Sequence, residues 1–337
     1  MTKHIYIYSP SGAVRDKAAF KRGVARLKTL GHDVEIDSAA LASHQRFAGD
    51  DETRLAALHR AAASGADVAL ISRGGYGLTR LLDRINYKAL AKSIDKGTQF
   101  VGLSDFTALS LGVLAKTGKV TWAGPALCEG FGVDDKADEA DSHGHIAKAS
   151  APGPDDIMEA CFDDMITGQG EGAGWRSGKV PVQFAPKAQK PTGKAPVPEI
   201  SIHIKNATLW GGNLAVLSSL VGTPYFPDVK GGILFLEDIA EHPYRIERML
   251  TQLLHAGVLA RQKAIVLGQF TEFKLVPHDK GYKLQSAVDW LRSKVKIPVL
   301  TNLPFGHVAT KVLLPVGAKV DLILQERDAL FLWGHVN

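Results

Sequence analysis

The sequence predicts an α/β protein in which a doubly wound parallel sheet is followed by a second region with its own strands and helices. In the first third of the chain, short apolar runs alternate with apolar residues at helical spacing, which is typical of parallel strands joined by crossover helices. The length of 337 residues exceeds what one hydrophobic core usually serves. We therefore expect two domains, or one large α/β unit with a substantial insertion.

The elements of the first region follow one another in the order strand, helix, strand. Strands are predicted at residues 5–8, 68–71 and 100–102, with a further short apolar and acidic run at 34–36. Helical spacing is seen at residues 20–27, 55–63 and 107–116, and a helix is also predicted to start at 78–82. In such an open sheet, the loops at the carboxyl ends of the strands are the expected site of chemistry.

The character of the chain changes near residue 134. Acidic, small, Gly, Pro and Lys residues dominate as far as residue 199, with one short helical pattern at 157–165, which indicates a linker plus an insertion. The second region then contains predicted strands at 200–204, 232–236 and 264–267, helices at 246–257 and 284–295, and short strands and turns at 312–333. The predicted domains are therefore 1–133, the linker and insertion 134–199, and 200–337.

The composition excludes several classes of protein. The formal charge of +5 arises from 40 basic and 35 acidic residues spread along the chain, which is too diffuse to predict a nucleic-acid partner. No apolar stretch is long enough to span a bilayer, and residues 1–8 resemble a first strand more than a signal peptide. Cys128 and Cys161 are the only cysteines and lack the spacing of a metal site. We expect a cytoplasmic protein without membrane contact.

The turn Gly102-Leu103-Ser104-Asp105 lies between a predicted strand and a predicted helix. A nucleophile elbow needs this order, with small residues beside the nucleophile and helix amides facing the reacting oxygen. Ser and Asp are also common helix caps, so Ser104 or Asp105 could equally cap the helix. The motif is short, and by itself it does not decide between the two roles.

A glycine-rich segment, Arg73-Gly74-Gly75-Tyr76-Gly77, follows the preceding strand. Glycines let backbone amides approach a ligand closely. The segment could form an oxyanion hole, or a phosphate cradle with Arg80 on the anion, or only a tight turn. The phosphate role is the weaker of the first two, because the spacing is not that of a P-loop.

A serine nucleophile needs a base, and the base needs an acid that orients it. Glu237 ends a buried strand and would lie at the sheet edge where active sites collect, although a carboxylate there can also be structural. His307 lies in an apparent loop, and nothing intrinsic selects it among twelve histidines.

Two further segments could bind a ligand. The turn around Trp210 and Asn213 could line a substrate groove or only cap a helix. His143 and His145 alternate in the polar insertion, but catalytic zinc usually needs three ligands on a firm scaffold, so we predict no metal site.

Taken together, five segments in chain order resemble the LD-carboxypeptidase family of bacterial serine peptidases. They are Arg73-Gly74-Gly75-Tyr76-Gly77, Gly102-Leu103-Ser104-Asp105, Trp210-Gly211-Gly212-Asn213-Leu214, Leu236-Glu237-Asp238-Ile239 and Phe305-Gly306-His307. The resemblance implies an N-terminal flavodoxin-like domain, a C-terminal, largely β domain, an active site at the domain interface, and a homodimer.

The family triad carries over onto Ser104, Glu237 and His307, with the amides of Gly75 and Asp105 as oxyanion donors. Helix capping then falls to Asp105 or Thr107. No cofactor is implied.

The resemblance also implies a function: release of the terminal D-alanine from murein tetrapeptides, by hydrolysis of an L,D-peptide bond, in peptidoglycan recycling. Expected substrate contacts include Tyr76, Trp210 and Asn213. The substrate carboxylate requires a cation, for which the candidates are Arg73, Arg80 and Arg245. One alternative is a family relative that cleaves peptidyl nucleotides, for which Trp175 could clamp a base. Another is a binding module that holds a small anion at Gly74-Gly75 without turnover.

Overall fold

The computed structural model describes residues 1–134, 153–179 and 201–336. Its strands are β1 (His4–Tyr8), β2 (Asp33–Ile36), β3 (Val68–Ile71), β4 (Gln99–Gly102), β5 (Thr121–Ala123), β6 (Gly172–Arg176), β7 (Ser201–Asn213), β8 (Ile233–Ile239), β9 (Ala264–Thr271), β10 (Val299–Leu300), β11 (Leu314–Val316), β12 (Lys319–Gln325) and β13 (Asp328–Leu332). Its α-helices are α1 (Lys17–Thr29), α2 (Asp51–Ala63), α3 (Tyr87–Asp95), α4 (Phe106–Thr117), α5 (Asp156–Thr167), α6 (Leu214–Ser219), α7 (Pro243–His255) and α8 (Leu284–Lys294).

The first sheet has the strand order β11-β5-β4-β3-β1-β2. Strands β1 to β5 pair in parallel and give the order 2-1-3-4-5 of flavodoxin-like doubly wound sheets. β3 is buried along its whole length, as expected for a parallel strand covered by helices on both faces. The predicted fold class of this region is therefore confirmed. β11, from near the end of the chain, adds an antiparallel edge strand beside β5.

The second sheet has the order β10-β9-β8-β7-β12-β13-β6. Its first four strands pair in parallel, and the remaining pairings are antiparallel. It is a second, largely β layer, as predicted. The carboxyl ends of β7 and β8 carry Asn213 and Glu237, which face each other in register.

The helix predicted to start at residues 78–82 is wrong. Residues Leu78–Arg80 form only a 3-10 turn, and α3 begins at Tyr87 after Asn86, whose side chain accepts a hydrogen bond from the Ala89 amide. Leu78, Leu81 and Leu82 are buried. Their spacing matches a helical stripe, but a single turn is enough to bring them into the core.

The prediction of a linker plus an insertion in the middle of the chain does not hold for residues 153–179. α5 packs its buried Met158 and Phe162 into the core of the first sheet, and β6 pairs with β13 at the edge of the second sheet. This part of the segment therefore belongs to both layers. The remainder of 134–199 lies largely outside the described residues, as do His143 and His145.

Among residues 1–134, 153–179 and 201–336, no helix combines the length and the apolar character that a membrane crossing requires.

Candidate active site

Ser104 occupies the turn between β4 and α4 with a left-handed backbone, at φ +65°. This conformation is uncommon for a residue other than glycine and is typical of strained turns at functional sites. Gly74 lies against it, since a methyl group at Gly74 would come within 2.7 Å of the Ser104 Cβ. The glycine-rich loop after β3 can pack this closely on the serine only because residue 74 has no side chain.

Asp105 does not cap α4, and this corrects one expected role. The residue stands at the N-cap position, but its side chain makes no capping hydrogen bond. Its carboxylate accepts instead from the Ser11 hydroxyl at 2.5 Å and the Leu78 amide at 2.9 Å, and from the Gly77 amide. Burial raises the pKa of Asp105, against the opposing effect of these donors. The side chain ties the loops after β1 and β3 to the Ser104 turn.

Arg54, which sequence reasoning missed, clamps the same loops from α2. Its side chain is fully buried, and Nη1 donates to the carbonyls of Pro10 at 3.1 Å and Gly77 at 2.9 Å. Nη2 pairs with Asp51, and the guanidinium lies 4.8 Å from the centre of the Phe47 ring. The Gly77 peptide is thus held from both sides, its amide by Asp105 and its carbonyl by Arg54.

A sequence signal for Arg54 existed. The residue lies four and seven positions before Leu58 and Ala61, both fully buried in α2, so a charged side chain stands on the apolar face of the helix.

The amides of Gly75 and Asp105 face no competing protein acceptor. Within the described part of the chain neither donates a hydrogen bond to a backbone or side-chain group. Both are therefore available to an oxygen placed at the Ser104 turn.

Glu237 and His307 form a buried pair across the second sheet. Glu237 is fully buried, and its Oε2 lies 2.8 Å from His307 Nδ1. An ionised carboxylate only accepts hydrogen bonds, so Nδ1 carries the proton and Nε2 is left to act as a base. Gly306 makes the approach possible, because a side chain there would meet Glu237 Oε2 at 3.2 Å and the backbone has φ +137°.

A change of register between β8 and β9 lies beside Glu237, and such irregularities often re-aim side chains near active sites. Asn213 satisfies the neighbouring carboxylates: its Nδ2 donates to Glu237 Oε1 at 3.2 Å and to Asp238 Oδ1 at 2.9 Å. Burial raises the pKa of Asp238 to about 6, with the Glu237 charge adding to the effect. Asn213 is itself 4% exposed, and its role here is to hold the acids.

Asn213 also joins the two halves of the site. Its backbone amide donates to Thr107 Oγ1 at 3.0 Å, so Thr107, in the first turn of α4, is engaged across the layers. Asn213 also caps a helix, since its side chain accepts from the Val216 amide at the start of α6. The structure brings Glu237 and His307 into contact, whereas Ser104, within the described residues, makes no side-chain hydrogen bond to His307.

The charge around His307 favours the imidazolium. Burial lowers the pKa of His307, but the hydrogen bond and charge of Glu237, with the charges of Asp238 and Glu129, outweigh burial and raise it. Glu129 lies on a π-helical turn at Leu127–Phe131, a form that is frequent at functional sites. Its Oε1 is 3.5 Å from Arg73 Nε. Glu129 therefore pairs with Arg73 and also acts on His307 through its charge.

Lys311 is a second residue that sequence reasoning missed. It is 2% exposed, and among the described residues its Nζ donates one hydrogen bond, a long one of 3.4 Å to the Ala309 carbonyl. Burial lowers its pKa to about 8, although the charges of Asp155, Glu129 and Glu237 favour the protonated form. The only signal was a lysine at the head of the apolar run 312–316. The adjacent Thr310 hydroxyl donates to Asp155 at 2.6 Å and fixes this loop to the start of α5.

The remaining candidates are placed less favourably. Trp210 is fully buried, with Nε1 donating to Gln262, so the predicted substrate contact is wrong. Trp175 packs on Phe331 and donates to the Thr301 carbonyl, so it is not exposed as a base clamp. Tyr76 is 46% exposed and lines a groove of about 550 Å³ with Asp105 and α6 residues. No cluster of metal-ligating side chains occurs among the described residues.

Known proteins resemble this chain over most of its length. Residues 5–124 match the family model of the LD-carboxypeptidase N-terminal domain, and residues 206–322 match that of the LD-carboxypeptidase C-terminal domain. The crystal structure of muramoyltetrapeptide carboxypeptidase from Oxalobacter formigenes is 36% identical, covers 97% of both chains and superposes with a TM-score of 0.77.

Two curated relatives align over much of their length. The probable murein peptide carboxypeptidase of Bacillus subtilis is 29% identical over 305 residues, which are 90% of this chain and 84% of the relative. The microcin C7 self-immunity protein of Escherichia coli is 28% identical over 260 residues, which are 76% of this chain and 70% of the relative.

Proposed function

The chain belongs to the LD-carboxypeptidase family, and we propose that it hydrolyses the L,D-peptide bond that joins the terminal D-alanine to murein tetrapeptides. The observation that carries the proposal is the buried Glu237–His307 pair, tied through Asn213 to the helix that follows the strained Ser104 turn. The murein peptide carboxypeptidase of Bacillus subtilis and the Oxalobacter formigenes enzyme support this choice of substrate.

In the proposed reaction, Ser104 Oγ attacks the carbonyl carbon before D-alanine while His307 Nε2 takes its proton. The Gly75 and Asp105 amides hold the oxyanion. His307 then passes the proton to the leaving amine, D-alanine departs, and a water activated by His307 hydrolyses the acyl-enzyme. Glu237 keeps the imidazole in the tautomer that this sequence needs and stabilises its charged form.

The absence of a Ser104–His307 hydrogen bond among the described residues is compatible with this mechanism. Catalytic hydrogen bonds are often long or misaligned in a free enzyme and shorten once substrate is bound. In this scheme, substrate binding brings His307 Nε2 within hydrogen-bond reach of Ser104 Oγ.

The alternatives are less well supported. A module that only binds an anion at Gly74-Gly75 does not require the buried Glu237–His307 pair on the other sheet. Cleavage of a peptidyl nucleotide needs a surface that stacks on the base, and Trp175 does not supply it, because its ring lies against Phe331.

The decisive experiment incubates the protein with a murein tetrapeptide and measures free D-alanine and tripeptide. We expect wild type to release both and Ser104→Ala to lose about 10³-fold or more of the rate. A parallel incubation with an aminoacyl sulfamoyl nucleoside tests the nucleotide alternative. Absence of D-alanine from the wild-type reaction, or undiminished release by Ser104→Ala, contradicts the proposal.

We further propose that the enzyme acts in the cytoplasm on peptides recovered from peptidoglycan, as a homodimer. Fractionation of cells and sedimentation of the purified protein test location and assembly separately from activity.

A further inference from the structure

We propose that Arg73 is the cation that binds the terminal carboxylate of the peptide, exchanging its contact with Glu129 for one with substrate. This inference rests on the proposed function, because it concerns the leaving residue of that reaction. It chooses among the three arginines that the sequence left open.

Arg73 lies next to the glycine that packs on the nucleophile. It immediately precedes Gly74, which packs on Ser104. Its Nη1 donates to the Ala13 carbonyl at 3.1 Å and passes close to Gly12, so the guanidinium is fixed at the carboxyl ends of β1 and β3. Within the described residues Nη2 makes no hydrogen bond to protein, and a carboxylate can therefore reach it.

The other two arginines are engaged elsewhere. Arg80 donates two hydrogen bonds to Asp51, at 3.1 and 2.8 Å, and lies over the Phe47 ring. Arg245 lies on the first turn of α7, more than half exposed, beside Glu241 and the Tyr244 hydroxyl. Lys311 is enclosed by protein, with only 2% of its surface exposed.

The contact between Arg73 and Glu129 is weak enough to be exchanged. At 3.5 Å it is an ion pair rather than a close bidentate hydrogen bond, and the Glu129 side chain is 47% exposed. A substrate carboxylate that makes two parallel hydrogen bonds to the guanidinium would be the stronger partner. Burial raises the pKa of Glu129, and the Arg73 charge opposes this, which is expected of a carboxylate in a cleft enclosed by protein yet open to water.

The position of Glu129 sets the side of the cleft on which Arg73 acts. Glu129 contacts Arg73 and also raises the pKa of His307 through its charge. His307 donates a proton to the leaving amine, so the leaving residue lies on its side of Ser104. The carboxylate of a single leaving residue is about one residue length, roughly 3.5 Å, beyond that amine. Arg73, which pairs with Glu129 and precedes the glycine that packs on Ser104, is the cation that we place there.

The test compares a murein tetrapeptide with its C-terminal carboxamide, which keeps the scissile bond but has no terminal charge. We expect wild type to prefer the acid by about 10- to 100-fold in kcat/KM, the value of a charged hydrogen bond. Arg73→Met should lose that preference, chiefly through a higher KM for the acid. Arg73→Lys should restore part of the preference, since it returns the charge without the fork.

Arg245→Met and Arg80→Met are the matched controls, and both should keep the acid preference. Glu129→Gln should keep it or increase it, because the variant removes the competing carboxylate. An unchanged preference in Arg73→Met, a loss of preference in Glu129→Gln, or equal use of acid and amide by wild type would overturn the inference. Hydrolysis of neither peptide by wild type would count instead against the proposed function.

Discussion

The two halves of the site, around Ser104 and around His307, rely on different chemical groups. On the Ser104 side, the chemistry lies in the backbone: a positive φ, glycines without side chains, amides that donate to Asp105 and carbonyls that accept from Arg54. On the His307 side, it lies in buried charges: Glu237, Asp238 and Lys311.

The arrangement around Ser104 depends on the backbone geometry of its loops. It is therefore local in sequence, and it is lost when a loop moves. The buried charges around His307 come from residues far apart in the chain, and their protonation depends on pH. Substitutions that affect one half should therefore differ in kind from those that affect the other.

Removing the charge of Glu237 should have the largest effect in this comparison. We expect Glu237→Gln to lower kcat by about 10³- to 10⁴-fold, because the amide no longer holds the imidazole in its tautomer or stabilises its charged form. The raised pKa of His307 places the acid limb of the wild-type kcat/KM profile above the usual histidine value of 6.5. In the variant that limb should move to lower pH. The pH profile measures both effects, and an unmoved limb would contradict the role of Glu237.

The same raised pKa affects stability in a defined direction. A protonated His307 stabilises the fold fully below pH 6.5, and this contribution is lost as pH rises through the folded pKa. Glu237→Gln should therefore flatten the pH dependence of the unfolding free energy in that interval.

Removing Arg54 should have the next largest effect, and it should appear as a loss of geometry. In Arg54→Met, the Pro10 and Gly77 carbonyls lose their donors and the buried Asp105 loses a nearby cation. We expect about 3 kcal/mol less stability and about 10- to 100-fold lower kcat, because the Gly75 amide is misplaced. Arg54→Lys should recover part of kcat. The acid limb should stay in place in both variants, and a shift like that of Glu237→Gln would erase the distinction between the halves.

The smallest effect is expected at Lys311, and its sign is opposite. Burial lowers the pKa of this amine to about 8, so keeping it protonated at neutral pH disfavours the folded state. Lys311→Met should raise the unfolding free energy at pH 7 by about 2–3 kcal/mol. The difference should shrink as pH rises from 8 to 10.5, where wild type gains stability. Urea unfolding at pH 7 and 9.5 measures this, and a variant less stable than wild type at pH 7 would show that Lys311 is well compensated.

The structure differs from the sequence predictions at residues 78–82 and at two tryptophans. Leu78, Leu81 and Leu82 have helical spacing, but only Leu78–Arg80 form a 3-10 turn, because three apolar residues can be buried without a longer helix. Trp210 was a candidate for substrate contact as part of a turn before a helix, and Trp175 a candidate base clamp as the tryptophan of the predicted insertion. Both are core residues, since their indole nitrogens find partners inside the protein.

The sequence by itself determined the parallel order of strands and helices in the first sheet and the turn at Ser104 between a strand and a helix, because both depend on short-range spacing and turn chemistry. Local patterns did not single out His307 among the histidines, although the family resemblance did, and only the tertiary structure shows that it meets Glu237, 70 residues away in the chain. It also decided that Arg54 and Asp105 clamp one peptide and that Asn213 joins the sheets. These contacts depend on strand register and burial, which bring together side chains that no local pattern connects.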